Sequence, residues 1–135
     1  MDLQLGKKTG VVTGASSGIG RAIAKGLAAE GVHLAITGRR RENLHEVAKE
    51  IVAEGGATPV IIVQDAMAED SAEAVARSAL EGLGRVDILI NNAGGSRPFQ
   101  LHTAEETWNE AMTLNFTRHR QLTHKLIDQM MANGW

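Results

Sequence analysis

Apolar and polar positions along this chain switch between two rhythms. Short apolar runs at residues 9–13 (TGVVT), 33–37 (HLAIT), 59–63 (PVIIV) and 86–91 (VDILIN) read as strands. Gly10 is a poor strand residue inside the first, and the unbroken run at 59–63 is what a parallel strand covered on both faces would show. Between these runs, apolar residues recur at helical spacing. Ile19, Ala22, Ile23, Gly26 and Leu27 make one stripe, and Leu44, Val47, Ala48, Ile51 and Val52 a second. Ala72, Val75, Ala76, Ala79 and Leu83 make a third. Glu30-Gly31 and Gly55-Gly56 stop the first two helices. Asp70 with Glu73, and Thr103 with Glu106, predict capping boxes, the second opening a long helix that runs towards Met131. Asn133-Gly134 is a helix stop. The order β-α-β-α-β-α-β-α with short connections predicts an α/β fold, a doubly wound parallel sheet with right-handed crossovers.

Composition narrows the function classes. At 135 residues the chain is one ordinary domain at most, and 43% hydrophobic with 22% charged residues is a globular balance. A net charge of −2 gives no electrostatic case for nucleic acid. Without cysteine there are no disulfides or thiolate metal sites, and no metal centre is expected. No apolar run approaches the ~20 residues of a membrane helix. Residues 1–6 carry Asp2 and no apolar segment, which argues against a signal peptide. A cytoplasmic protein with no membrane partner is the expectation.

The densest candidate chemistry is the segment Thr13-Gly14-Ala15-Ser16-Ser17-Gly18-Ile19-Gly20, between the first strand and the first helix. Glycines at this spacing let a backbone turn tightly, approach a pyrophosphate and pack the next helix on the sheet. The helix N-terminus then offers N–H groups and the positive end of its dipole. The plainer alternative is a strand–helix turn with no ligand. About 20 residues later, where an NAD-selective site places an acid on the ribose, the chain reads Thr37-Gly38-Arg39-Arg40-Arg41. Cations at a helix start oppose the dipole, and a bound 2′-phosphate would relieve that conflict through the arginine fork. NADP is therefore preferred over NAD, against the alternative of a solvated basic stretch. Asp65 closes the third strand and could accept a hydrogen bond from an adenine amino group, or be one of the aspartates common at strand ends. Asn91-Asn92-Ala93-Gly94 ends the fourth strand. Asn115 lies inside a helical pattern, where asparagine is disfavoured; it is either tolerated at a kink or faces the site.

Together these motifs resemble the N-terminal half of a short-chain dehydrogenase/reductase, a Rossmann oxidoreductase family. Residues 13–20 match the family's TGxxxGxG motif, 91–94 its NNAG motif, Asp65 its adenine-contacting aspartate and Asn115 the asparagine of its catalytic tetrad. The resemblance covers essentially residues 1–135. It implies a strand order 3-2-1-4 and a cofactor site formed by Gly14, Ser16, Ser17, Gly18, Ile19, Gly20, Arg39, Arg40, Asp65, Asn92, Ala93 and Gly94. It also implies hydride transfer between NADPH and a small carbonyl or alcohol substrate, with Asn115 supporting the proton relay. The family's serine and Tyr-x-x-x-Lys pair have no counterpart, and the chain contains no tyrosine. Three readings follow: the retained part of a complete reductase, a truncated nucleotide-binding module without catalysis, or a remnant acting through protein–protein contacts. With its fourth strand left as an edge, the chain is expected to form a homo-oligomer or to associate with a C-terminal half supplied elsewhere.

Overall fold

The computed structural model describes residues 3–135; Met1 and Asp2, on which the argument against a leader partly rests, lie outside the described residues. Strands β1 (Thr9–Val12), β2 (His33–Gly38), β3 (Val60–Val63) and β4 (Ile88–Ile90) form one parallel sheet in the order 3-2-1-4. Thr9 pairs with His33, Gly10 with Ile88, and Ala35 with Val60. The helices between them are α1 (Gly18–Ala29), α2 (Arg41–Ala53) and α3 (Ser71–Leu83). After β4 come α4 (Glu105–Met112), a π-helical turn (Thr113–Thr117) and α5 (Arg118–Ala132).

Successive strand residues point to opposite faces, so one sheet feeds two cores. Val12, Leu34 and Ile36 pack with Ala24 and Ala28 of α1 and Leu44, Val47 and Ile51 of α2. Val11, Ala35 and Ile62 pack with Val75, Ala76 and Ala79 of α3 and Leu122 and Leu126 of α5. The apolar run at 59–63 is the sheet edge: only Ile62 of β3 is buried, and Val63 is exposed. The expected cover on both faces is therefore partial, because an edge strand has a neighbour on one side alone.

Three helix expectations shift. In α1 the buried residues are Gly20, Ala24 and Ala28, Ala22 and Gly26 face out, and Ile19 is 74% exposed. Small residues turn inward because α1 lies close against the sheet, so the largest apolar side chain does not mark the buried face. Val52 is likewise exposed at the edge of the otherwise buried α2 stripe. Neither capping box forms. Asp70 makes no side-chain cap bond, and Glu73 pairs with Lys125 of α5 at 2.5 Å, which holds its carboxyl below the usual range. Thr103 Oγ1 bonds Gln100 instead, and α4 starts one residue later with Ala104 at the cap position.

The lower end of the sheet is closed by a buried polar knot. Asp87, its side chain fully buried, accepts the Thr9 N–H at 3.0 Å, Arg85 Nε at 3.0 Å and Asn133 Nδ2 at 3.2 Å. Gln129 of α5 pairs both ways with the Val86 backbone, accepting its N–H at 3.1 Å and donating to its carbonyl at 2.8 Å. Burial opposes the Asp87 charge but is outweighed by the Arg85 guanidinium and the Thr9 N–H, so its carboxyl sits below the ordinary aspartate value. Asp87→Ala strands the buried Thr9 N–H and is expected to cost roughly 1–3 kcal/mol of unfolding free energy. A depressed folded-state value gives stability that is full above the unfolded aspartate value of ~3.9 and is lost as pH falls through the folded one. In urea unfolding, the gap between parent and variant should therefore narrow from about pH 7 to about pH 3; an unchanged gap counts against the charged form carrying it.

Candidate functional site

The carboxyl ends of all four strands open into one cleft of about 470 Å³, the edge at which doubly wound sheets hold ligands. Its floor is the turn from β1 into α1. Gly14 and Gly18 have φ of +65° and +54°, a region that favours glycine. A Cβ on Gly20 would lie 2.3 Å from the Gly14 carbonyl oxygen and 2.4 Å from Asn92 Nδ2, so no other residue fits there. Ser17 holds the cap position of α1 without a side-chain cap bond, and the first turn carries no acid. The start of α1 thus keeps N–H groups and dipole available to an anion.

Thr13 joins this turn to the segment after β4. Its hydroxyl accepts the N–H groups of Asn92 (3.0 Å) and Ala93 (2.9 Å) and donates to the Ile90 carbonyl at 3.2 Å. The Asn92 amide donates back to the Thr13 and Gly14 carbonyls at 3.0 and 3.2 Å. Two of the motifs singled out in the sequence are therefore one hydrogen-bonded unit.

Beyond β2, Arg39 and Arg40 are exposed and line the cleft, and their side chains make no ion pair or hydrogen bond among the described residues. Beyond β3, Asp65 Oδ1 accepts the Met67 N–H at 2.9 Å, and the exposed carboxylate faces the same cleft. Gly14, Ser16, Ser17, Ile19 and Gly20 line it on one side and Asn92, Ala93 and Gly94 on the other. Gly18 does not line it; its role there is the turn.

Asn115 also stands behind the wall and not on it. It sits in the π-helical turn, where its amide exchanges two bonds with Gly95 (Oδ1 accepting at 3.0 Å, Nδ2 donating at 2.9 Å) and caps the Ala111 carbonyl at 2.9 Å. A Cβ on Gly94 would come within 2.8 Å of Asn115 Oδ1, so the glycine is needed for that approach.

Two residues the motif search passed over complete the frame. Arg118 donates to the Ala66 and Met67 carbonyls at 3.2 and 3.0 Å, tying α5 to the loop that carries Asp65. His119 Nε2 donates to the Ala93 carbonyl. Neither has a sequence signature, because a carbonyl partner is available at any residue type. Arg97 lines the cleft with Leu114 and brings its guanidinium groups to three against the single carboxylate of Asp65.

The cleft can thus cradle an extended anionic ligand, phosphate at the α1 N-terminus and further anionic groups at the arginines. Among the described residues, no helix is long and apolar enough to cross a membrane.

Known proteins are similar to this chain over nearly its whole length. Human dehydrogenase/reductase SDR family member 2, mitochondrial, is 35% identical over 131 residues, which are 93% of this chain and 45% of that protein. L-Sorbose reductase from Gluconobacter frateurii, solved with NADPH and L-sorbose, superposes with a TM-score of 0.92 at 36% identity, covering 99% of this chain and 51% of the reductase. A 7α-hydroxysteroid dehydrogenase solved with NADH and 7-oxo glycochenodeoxycholic acid superposes at 0.91 with 32% identity, over 96% and 51% of the two chains. The chain therefore spans about half the length of the relatives it matches. The family model for short chain dehydrogenases matches residues 8–135; on that match and these identities, the chain belongs to the short chain dehydrogenase family.

Proposed function

We propose that this chain is the nucleotide-binding half of an NADP(H)-dependent oxidoreductase that interconverts a carbonyl compound and its alcohol. The observation that carries the reading is the glycine turn locked to Asn92, beside an uncapped helix start and two unpaired arginines. The residues fit such a nucleotide. Gly14, Ser16, Ser17, Ile19 and Gly20 would hold the pyrophosphate, with Gly18 shaping the turn. Asp65 would take the adenine amino group through the carboxylate oxygen that Met67 leaves open. Asn92, Ala93 and Gly94 would border the nicotinamide half. When bound, the nucleotide supplies a hydride to a carbonyl carbon or accepts one from an alcohol.

Cofactor choice turns on the end of β2. L-Sorbose reductase was solved with NADPH and the hydroxysteroid dehydrogenase with NADH, so relatives of this chain are found with either nucleotide. Here Arg39 and Arg40 would grip a 2′-phosphate, and no acid stands where a ribose hydroxyl would need one. Charge-assisted bonds of this kind contribute about 1.5–3 kcal/mol, or roughly tenfold to a hundredfold in affinity. Titration of nucleotide fluorescence should give a Kd for NADPH lower than that for NADH by such a factor. Arg39→Asp should reverse the order. Equal affinities in the parent chain would refute the assignment.

On the proton side this chain would contribute positioning. Asn115 fixes the Gly94–Gly95 wall through both amide atoms. No tyrosine is present to act as the family's acid, and without general acid catalysis a factor of roughly 10²–10⁴ is missing. The 135-residue chain supplied with NADPH and simple aldehydes or ketones is expected to show no turnover above buffer; clear turnover would mean that another residue donates the proton.

A second reading, a module that works through protein contacts, draws on the surface beyond β4. Among the described residues no strand pairs with the outer edge of β4. Trp108, Met112 and Phe116 on the helical segment after it are 49%, 53% and 55% exposed, and Leu101 is 92% exposed. Open edges and contiguous apolar surface recruit other chains. Light scattering at micromolar concentration is expected to find the chain self-associated, or joined to a chain that supplies further strands. A monodisperse, cooperatively melting monomer would exclude this association.

A further inference from the structure

The two arginine positions of the cleft are separated by the sheet itself. Strand β1 lies between β2 and β4, so Arg39 and Arg40, which follow β2, stand on one side of the glycine turn. Arg97, in the segment after β4, stands on the other. The nucleotide reading uses the first side for a ribose phosphate and the glycine turn for the pyrophosphate. It gives Arg97 no partner.

Arg97 is built as a group waiting for an anion. Its backbone neighbourhood is held, since Gly95 is fixed at both N–H and carbonyl by Asn115. A Cβ on Gly95 would stand 3.4 Å from Leu114 Cδ2 and 3.9 Å from Arg97 Nη1, so the guanidinium lies against this wall. The side chain is only 34% exposed. Its nearest charged approach is Nε to Glu110 Oε2 at 3.5 Å, towards a carboxylate that is itself 56% exposed. That is too long for a strong charge-assisted hydrogen bond. Neither terminal nitrogen makes a hydrogen bond among the described residues. A guanidinium offers five donors in a planar fork that matches a carboxylate at two points; here the outer edge of that fork is open, while Glu110 steadies the inner one.

We propose that Arg97 anchors a carboxylate on the substrate, so that the carbonyl or alcohol compound handled at this end of the cleft is an oxo acid or hydroxy acid. The inference rests on the reading of the cleft as a nucleotide and carbonyl site. Glu110 is a competitor that the substrate carboxylate displaces from the guanidinium.

A matched pair of probes, 4-oxopentanoate and its methyl ester, tests this by calorimetric titration of the chain with NADPH and again without it. The acid is expected to bind at least about tenfold tighter than the ester, the scale of one bidentate charge-assisted contact. Arg97→Gln should erase that difference, Arg97→Lys should keep part of it, and Glu110→Gln should tighten acid binding by removing the competitor. Equal binding of acid and ester, no binding of either, or an acid preference that survives Arg97→Gln overturns the proposal. So does a loss of NADPH affinity in Arg97→Gln that parallels the loss of acid binding, which would place Arg97 on a nucleotide phosphate. Failure of NADPH to bind, with the acid preference intact, overturns the nucleotide reading and leaves the carboxylate anchor standing.

Discussion

The hydroxyl of Thr13 joins the ends of two strands that are 79 residues apart in sequence and adjacent in the sheet. A hydroxyl has one proton to give and two lone pairs to fill, and here all three are engaged, with Ile90, Asn92 and Ala93. That saturation fixes Asn92, whose amide returns to the Thr13 and Gly14 carbonyls. The amide in turn occupies the space a Gly20 side chain would need. The glycine at this position is therefore a consequence of the strand order. With β4 anywhere but beside β1, Asn92 would not reach the turn and the requirement would lapse.

Helix α5 extends this logic to the opposite end of the sheet. Its 15 residues span about 22 Å at 1.5 Å each, and it is bonded to backbone at both ends. Arg118 and His119 in its first turn hold carbonyls of the two loops that border the cleft. Gln129, with Asn133 just beyond it, holds Val86 and Asp87 at the floor of the sheet. The stabilising knot and the ligand-facing edge are thus at opposite ends of one rigid strut. The π-helical turn before α5 lets that strut keep its position while α4 leaves in its own phase. A π turn frees a carbonyl from the usual ladder, and the Asn115 amide fills the one at Ala111. An asparagine that would be a poor helix residue elsewhere is suited to this place.

The strands, the helices between them and the position of the cleft were legible in the sequence, because each rests on periodicity or on glycine at a strand–helix turn; the strand order came only through the resemblance to a known family. What was not legible has two physical causes. Where helix and sheet approach closely, the buried face is written in small residues: Gly20, Ala24 and Ala28 face inward while Ile19 faces the cleft. Of the predicted stripe, Ile23 and Leu27 pack partly against the core, while Ile19, Ala22 and Gly26 face out. Capping patterns failed for a different reason. Glu73 had a better partner in Lys125, 52 residues away, than in the helix it opens. Long-range bonds from side chain to carbonyl, such as those of Arg118, His119 and Gln129, leave no local pattern at all. Asn115 was legible as an anomaly, and only the structure turned the anomaly into a contact with Gly95.

The chain as a whole carries a net charge of −2, yet the walls of the cleft carry three guanidinium groups and one carboxylate. Elsewhere, several basic groups are matched within the fold: Lys25 pairs with Glu54 and shares Glu50 with Arg21 across α1 and α2, with both basic groups held above and the Glu50 carboxyl below their ordinary values, and Arg85 pairs with Asp87. In the cleft the matching is sparse. Asp65 is tied to the Met67 N–H, and Glu110 comes no nearer than 3.5 Å to Arg97. The positive field there adds to that of the α1 N-terminus, so the folded chain concentrates like charges along one groove. An extended ligand that brings negative charge to several points at once would lower the energy of such a groove. A neutral or singly charged ligand would leave part of that field unanswered. On the proposed reading that ligand is the nucleotide, and chemistry at the far end of the cleft follows from where it is held.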